Sequence, residues 1–383
     1  MKTHIKHLSY ALAILSLWAC NAKAKTPELA TLQTFQAEKE KPAKQTIQVA
    51  LLLDTSNSMD GLIDQAKAQL WQIVNELSYA KCDDVKPNLE IALYEYGNNG
   101  LNSTEGYIRQ ILAFSKDLDE ISKQLFSLTT NGGEEYCGYV IKTSLEQLQW
   151  ASNKDDLKLI FIAGNEPFNQ GRVPYETAAK LACDKDVSIN TIFCGDYNLG
   201  VSTLWKHGAD AAHGDYIAIN SDKVTVHIPS PYDDKIMNLN SRLNNTYVAY
   251  GSMGSQKMAM QAEQDDNASG YSQANAVSRT VSKSSHLYKN SSWDLVDASE
   301  AKTFDYSKLK KSELPEELKE KSVSEIKTYV ETKRKEREQI SNEIQELNEK
   351  RRAYIATKSN TNELENAMIN ALKSQAKKKN YKW

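Results

Sequence analysis

Asp54, Ser56 and Ser58 follow one another at two-residue spacing in LLLDTSNSMD (51–60), after an apolar run and before a helix-like pattern. A carboxylate and two hydroxyls are hard oxygen donors of the kind that Mg²⁺, Mn²⁺ or Ca²⁺ takes. The same residue types cap helices, because their side-chain oxygens accept from the unpaired N–H groups of a first turn. Two readings therefore stand, a cation site and a capped turn without metal. Further oxygen donors occur in TTNGGEEYCG (129–138) and AGNEP (163–167), both at loop or strand ends.

Other site chemistry finds no grouping. There is no G-x-S-x-G, H-E-x-x-H or G-x-x-x-x-G-K-[ST] motif. Beyond the N-terminal segment the histidines are His207, His213, His227 and His286, without metal-ligand spacing, and no evident base accompanies Ser56 or Ser58. An enzyme is not expected. A net charge of −3 shows no basic excess of the kind that nucleic-acid binders carry, so no nucleic-acid partner is expected either.

The elements that must position these residues are legible from Thr46 to about Asn220. Val49 to Leu53 is continuously apolar, as befits a parallel strand covered on both faces. LEIALYEYG (89–97), YIRQILAF (107–114), LKLIFIAG (157–164), VSINTIFCGD (187–196) and YIAI (216–219) read as further strands. Helical spacing runs through Leu62, Ala66, Leu70, Ile73, Val74 and Leu77, and again over 118–128, 140–150, 175–183 and 201–212. Repeated β–α units of this length predict an α/β fold, a doubly wound, mostly parallel sheet whose ligands bind beyond the carboxyl ends of its strands.

The ends of the chain are different. Lys2, Lys6 and His7 precede an apolar run that finishes in LWAC (17–20), too short for a stable span. This is similar to the lipobox of bacterial lipoproteins, with Cys20 lipidated; the alternative is cleavage after Ala24 and a secreted soluble protein. Residues 21–45 read as a polar tether to an outer-membrane or periplasmic site, with the membrane reached through the lipid. From 223 to 305 the pattern is mixed and polar, without a readable period. Residues 306–383 form a charged helical arm, with Val330, Ile340, Ile344, Leu347 and Tyr354 on one heptad seam that Lys333, Arg337 and Arg351 interrupt. A packed long helix or hairpin is favoured over an autonomous coiled coil, a solvated helical arm being the alternative, and KSQAKKKNYKW reads as a solvated basic tail.

The order of elements together with DTSNSM resembles the von Willebrand factor type A family over roughly residues 46–222. GGEEYCG, AGNEPF and NTIFCG are similar to a bacterial extracytoplasmic lipoprotein subfamily with an extension ending near WDLVDA. The resemblance implies a Rossmann-like fold and a metal-ion-dependent adhesion site, whose first motif, Asp-x-Ser-x-Ser, is matched by Asp54, Ser56 and Ser58. The family's next motif sets a threonine after Gly-Gly, where Gly132-Gly133 is followed here by Glu134-Glu135. Its third, Thr-Asp-Gly, stands here as Ala163-Gly164-Asn165. The implied ligand set is thus Asp54, Ser56, Ser58, Glu134 and Asn165, holding Mg²⁺ (or Mn²⁺ or Ca²⁺). In the family the ion takes a carboxylate from an acidic residue of a protein partner. If Glu134 reaches the ion it fills that place; if it points to solvent, Asp54, Ser56, Ser58 and Asn165 remain.

Four cysteines, Cys82, Cys137, Cys183 and Cys194, remain beside Cys20. An exported location suggests disulfides, buried free thiols being the alternative. Cys183 and Cys194 flank one strand, about 23 Å apart at strand rise, so they cannot bridge. Cys137 and Cys194 are expected at the metal end of the sheet, where a bridge would brace the loops. The leading expectation is a non-enzymatic binding module of the cell envelope that engages a protein partner through a cation. The alternative is a structural envelope protein with a metal-free platform, its extension and arm making the contacts.

Overall fold

The apolar run before Asp54 forms β1 (Thr46–Asp54) in a computed structural model that describes residues 44–219, 228–358 and 363–383. Then follow α1 (Asp60–Ser78), β2 (Lys81–Cys82), β3 (Asn88–Tyr96), β4 (Ile108–Ser115), α2 (Leu118–Phe126) and α3 (Cys137–Gln147). Next come β5 (Leu157–Gly164), α4 (Tyr175–Asp184), β6 (Ser188–Cys194), α5 (Tyr197–Ser202), α6 (Trp205–Ala211) and β7 (Tyr216–Ile219). The main sheet has the order β4-β3-β1-β5-β6-β7, parallel throughout except for antiparallel β4 at one edge. The α/β expectation is met. Strand order reverses at β1, which sets the carboxyl ends of β1, β3 and β5 side by side at the switch point where such sheets bind ligands.

Alternation along the strands builds two cores. Val49, Leu53, Ile91, Leu159, Phe161 and Ile192 face α1 and α2, while Ala50, Leu52, Ala92, Ile160, Ile162 and Ile189 face α3, α4 and α6.

The remainder is helical: α7 (Asp233–Asn244), α8 (Gly254–Tyr271), α9 (Gln273–Lys283), α10 (Leu295–Ala298), α11 (Glu316–Lys319), α12 (Val323–Ala356) and α13 (Glu363–Lys378), with β8 (Tyr381–Lys382) at the end. α9 lies against α1, α7 and α8. α12 opens with a complete capping box, Ser322 with Glu325. Its seam packs on α7 and α9 and not on a coiled-coil partner, so Ile340 and Ile344 join the same core as Val49. The charges that interrupt the seam are paired: Arg337 with Asp294 at 2.6 Å, and Arg351 with Asp233 at 2.8 Å. α13 packs against α1 and β7.

Two expectations need correction. The basic tail is not a solvated strand of charge, for Tyr381 is 2% exposed, β8 pairs with β2, and Lys379 bonds Asp186 at 2.6 Å. The Cys137–Cys194 bridge is absent, because all four cysteines of the described residues are free thiols. Cys194 points into the core on the α1 side of the sheet and Cys137 into the core on the opposite side, so the sheet itself separates them. The lipidation reading of Cys20, with the signal and all of the tether up to residue 43, lies outside the described residues.

Candidate metal-binding site

β1 ends on Asp54, and the chain then turns under control of the neighbouring strand: Thr55 N–H donates to Tyr96 C=O at 2.9 Å. Asp54 Oδ1 accepts the Ser56 N–H at 2.7 Å, which closes a tight turn and leads into one 3₁₀ turn before α1. Neither that turn nor α1 carries a side-chain cap hydrogen bond. The serine hydroxyls therefore do not serve the role that the capping reading assigns them. Instead Ser56 Oγ and Ser58 Oγ lie 3.1 Å apart, and Asn165 Nδ2, at the end of β5, donates to Ser58 Oγ at 3.1 Å. Four of the five residues expected from the sequence thus meet at the carboxyl end of β1 and β5.

Glu134 does not join them. It is exposed, and its neighbour Glu135 is the carboxylate that turns in, 2% exposed beside Asp54 at 0%. In an irregular loop no period tells which of two adjacent glutamates faces inward, so no sequence signal separated them. The loop is held by backbone bonds, with Asn131 N–H to Thr55 C=O at 2.9 Å and Asn99 N–H to Gly132 C=O at 2.7 Å. Glu166 is exposed, but its N–H donates to Glu135 Oε2 at 3.3 Å. Gly97, at φ +78°, lets the two carboxylates sit together, since a Cβ there would stand 2.6 Å from Asp54 Oδ1 and 3.0 Å from Glu135 Cγ.

The electrostatics of this pair are unusual within the molecule. Burial, and then Glu135 beside it, push the Asp54 carboxyl well above the usual carboxylate range. Burial also raises Glu135, against the lowering effect of its hydrogen bonds. Most other buried acids face an arginine: Glu95 has Arg109, Asp119 has Arg279, Asp233 has Arg351, and Asp294 and Asp297 share Arg337, while Asp156 accepts from the Thr46 N–H at 2.7 Å. Among the described residues no lysine or arginine pairs with Asp54 or Glu135; the two carboxyls hydrogen-bond each other and Ser56, and beyond those contacts Asp54 Oδ2 is buried without a donor. Buried like charges without a counter-charge are strongly unfavourable.

Among the described residues no cluster of three or more His, Cys, Asp or Glu side chains is arranged to hold a metal. The donors here are two hydroxyls, an amide oxygen and two carboxylates. That all-oxygen set suits Mg²⁺, Mn²⁺ or Ca²⁺ and not a thiophilic ion. With Asp54 Oδ2 buried and unpartnered among these donors, their chemistry is that which a divalent cation would take.

No family profile matches the sequence, and no curated protein matches it. Among solved structures, the chain is similar over 45% of its length to the SpRpn10 VWA domain, with 18% identity, 87% of that chain covered and a TM-score of 0.35. It is similar over 45% of its length to the conserved hypothetical protein BatB of Bacteroides thetaiotaomicron, at 16% identity, 90% of that chain and a TM-score of 0.35. A third likeness covers 46% of this chain and 93% of an aerotolerance-related membrane protein of Bacteroides fragilis NCTC 9343, at 16% identity and a TM-score of 0.32. The fold assignment rests on the strand order above and not on these likenesses. Among the described residues no helix is long and apolar enough to cross a membrane.

Proposed function

We propose that the chain is a non-enzymatic binding module that holds a divalent cation, Mg²⁺, Mn²⁺ or Ca²⁺, at Asp54, Ser56, Ser58 and Asn165, and engages a protein partner through that face. The single observation that carries this reading is the buried carboxylate Asp54, whose Oδ2 has no donor and which no lysine or arginine of the described residues neutralises. A bound cation supplies the missing positive charge and orders the hydroxyls around it. Lipidation at Cys20 would hold the module at the cell envelope. Calorimetric titration of Mg²⁺, Mn²⁺ and Ca²⁺ into residues 42–383, which form one compact unit, tests the cation. Saturable binding that Asp54→Ala abolishes is expected; equal binding by the variant removes the site. Labelling with radioactive palmitate, lost on Cys20→Ser, tests the anchor.

A further inference from the structure

We infer that Glu135 is a built-in ligand of this cation, filling from within the chain the position through which an acidic partner residue would otherwise reach the ion. The inference rests on the cation-site reading above and goes beyond it, because it names a ligand and restricts the partner.

The geometry sets Glu135 apart from a surface carboxylate that drifts near a site. Its side chain is 2% exposed and packed beside Asp54, and the Glu166 N–H holds Oε2 at 3.3 Å. The loop that carries it is fastened just before it, at Asn131 to Thr55 and at Gly132 to Asn99. Gly133 is pressed so close to β3 that a Cβ there would stand 2.4 Å from Gly97 O, so the loop cannot approach in this way with any larger residue. Glu134, one residue earlier, points outward, which leaves a single carboxylate of this loop aimed at the donors.

The charge count follows from these placements. Ionised Asp54 and Glu135 together carry two negative charges, which a divalent cation neutralises. A further carboxylate from a partner would add an excess negative charge to a buried, already neutral centre. It would also meet Asp60, Glu134 and Glu166, all exposed around the same end of the sheet. Like charges brought together at an interface are unfavourable and suppress acidic partners. The partner surface that fits is accordingly neutral or basic, and the ion stays bound whether or not a partner is present.

Manganese affinity of residues 42–383, measured by calorimetry with the Mn²⁺ spin-resonance signal as a second readout, tests this in the wild type and in Glu135→Ala, Glu135→Gln and Glu134→Ala. Loss of a ligand is expected to weaken Mn²⁺ binding by at least about 10–100-fold in both Glu135 variants, with less than about a twofold change for the exposed, screened Glu134. Millimolar acetate is expected to restore affinity to Glu135→Ala, whose vacated space admits a small carboxylate, and to leave the wild type unchanged. The inference is overturned if the Glu135 variants bind as tightly as the wild type, or if acetate tightens binding to the wild type. In both of those cases the cation site itself still stands. If the wild type binds no Mn²⁺, the site reading fails and the inference fails with it. Glu135→Gln keeps the side-chain volume, so a folding defect confined to the alanine variant is recognised as such.

Discussion

Asp54→Asn is expected to stabilise the metal-free protein while abolishing its response to Mg²⁺, two effects of opposite consequence from one atom. The substituted amide keeps the oxygen that accepts the Ser56 N–H at 2.7 Å. It replaces the orphaned Oδ2 by an NH₂ group that can donate to Glu135. Relieving one unsatisfied buried acceptor is worth about 1–3 kcal/mol. Unfolding entropy of about 2.1 cal/mol/K per residue over roughly 340 residues converts about 2 kcal/mol into a Tm increase of about 3 °C. The pH dependence follows from the raised carboxyl of Asp54. An acid whose folded pKa lies above its unfolded value makes the folded state bind more protons, so stability falls as pH rises past about 4. The wild type in chelator should therefore lose stability between about pH 4 and its raised folded pKa more steeply than Asp54→Asn. Mg²⁺ at about 100 times its Kd should add about 2.7 kcal/mol to the wild type alone. Scanning calorimetry with chelator and with Mg²⁺, in a pH series that rises from about 4, reads both effects. A variant less stable than the wild type in chelator, with both proteins gaining equally from Mg²⁺, would overturn this expectation.

Other consequences are as direct. Arg279, 1% exposed, bonds Asp119 at 2.9 Å and Asp265 at 2.5 Å, joining α9 to α2 and α8. Arg279→Met should cost about 3–5 kcal/mol by leaving Asp119 unpaired, seen as a lower urea midpoint. A chain ending near Asp305 loses Ile340, Ile344 and Leu372 from the core of β1; it should bind a hydrophobic dye and aggregate, whereas Ile344→Ala alone should cost about 2–5 kcal/mol. Burial lowers His286 from 6.5 to about 4. The unfolded state binds its proton first, so stability should fall as pH drops from 6.5 to about 4, and His286→Gln should flatten that decline in a pH series of thermal melts. The four free thiols leave Tm insensitive to reductant, and buried Cys137 should resist thiol reagents until unfolding; a mass shift on native labelling at Cys137 would contradict this.

The legible part of the fold was the part whose chemistry repeats. β1 and β5 are covered on both faces, so each shows as a largely apolar run, and α1 shows its stripe because only one side is buried. The 223–305 segment withheld its helices because α9 buries Asn275, Ser278, Arg279, Thr280 and Lys283, a polar face that apolar periodicity cannot detect. Its solvation there is replaced by ion pairs and hydrogen bonds from other helices. That Asp54, Ser56, Ser58 and Asn165 lie together was legible because turns at strand ends, and the resemblance to type A domains, set such donors at the switch point. That Glu135 and not Glu134 turns in beside Asp54 was not legible, because only the loop's backbone bonds decide which side chain is buried. The disulfide expectation placed Cys137 and Cys194 correctly at one end of the sheet's elements but ignored which face each occupies, a property of strand order and not of any local stretch.

Anomalous diffraction from crystals grown with Mn²⁺ would locate the cation itself. One peak is expected, bounded by the hydroxyls of Ser56 and Ser58 and the carboxylates of Asp54 and Glu135, and absent from Asp54→Asn crystals. No peak there at saturating Mn²⁺, with Asp54 and Glu135 unchanged and sharing a proton, would contradict the cation site.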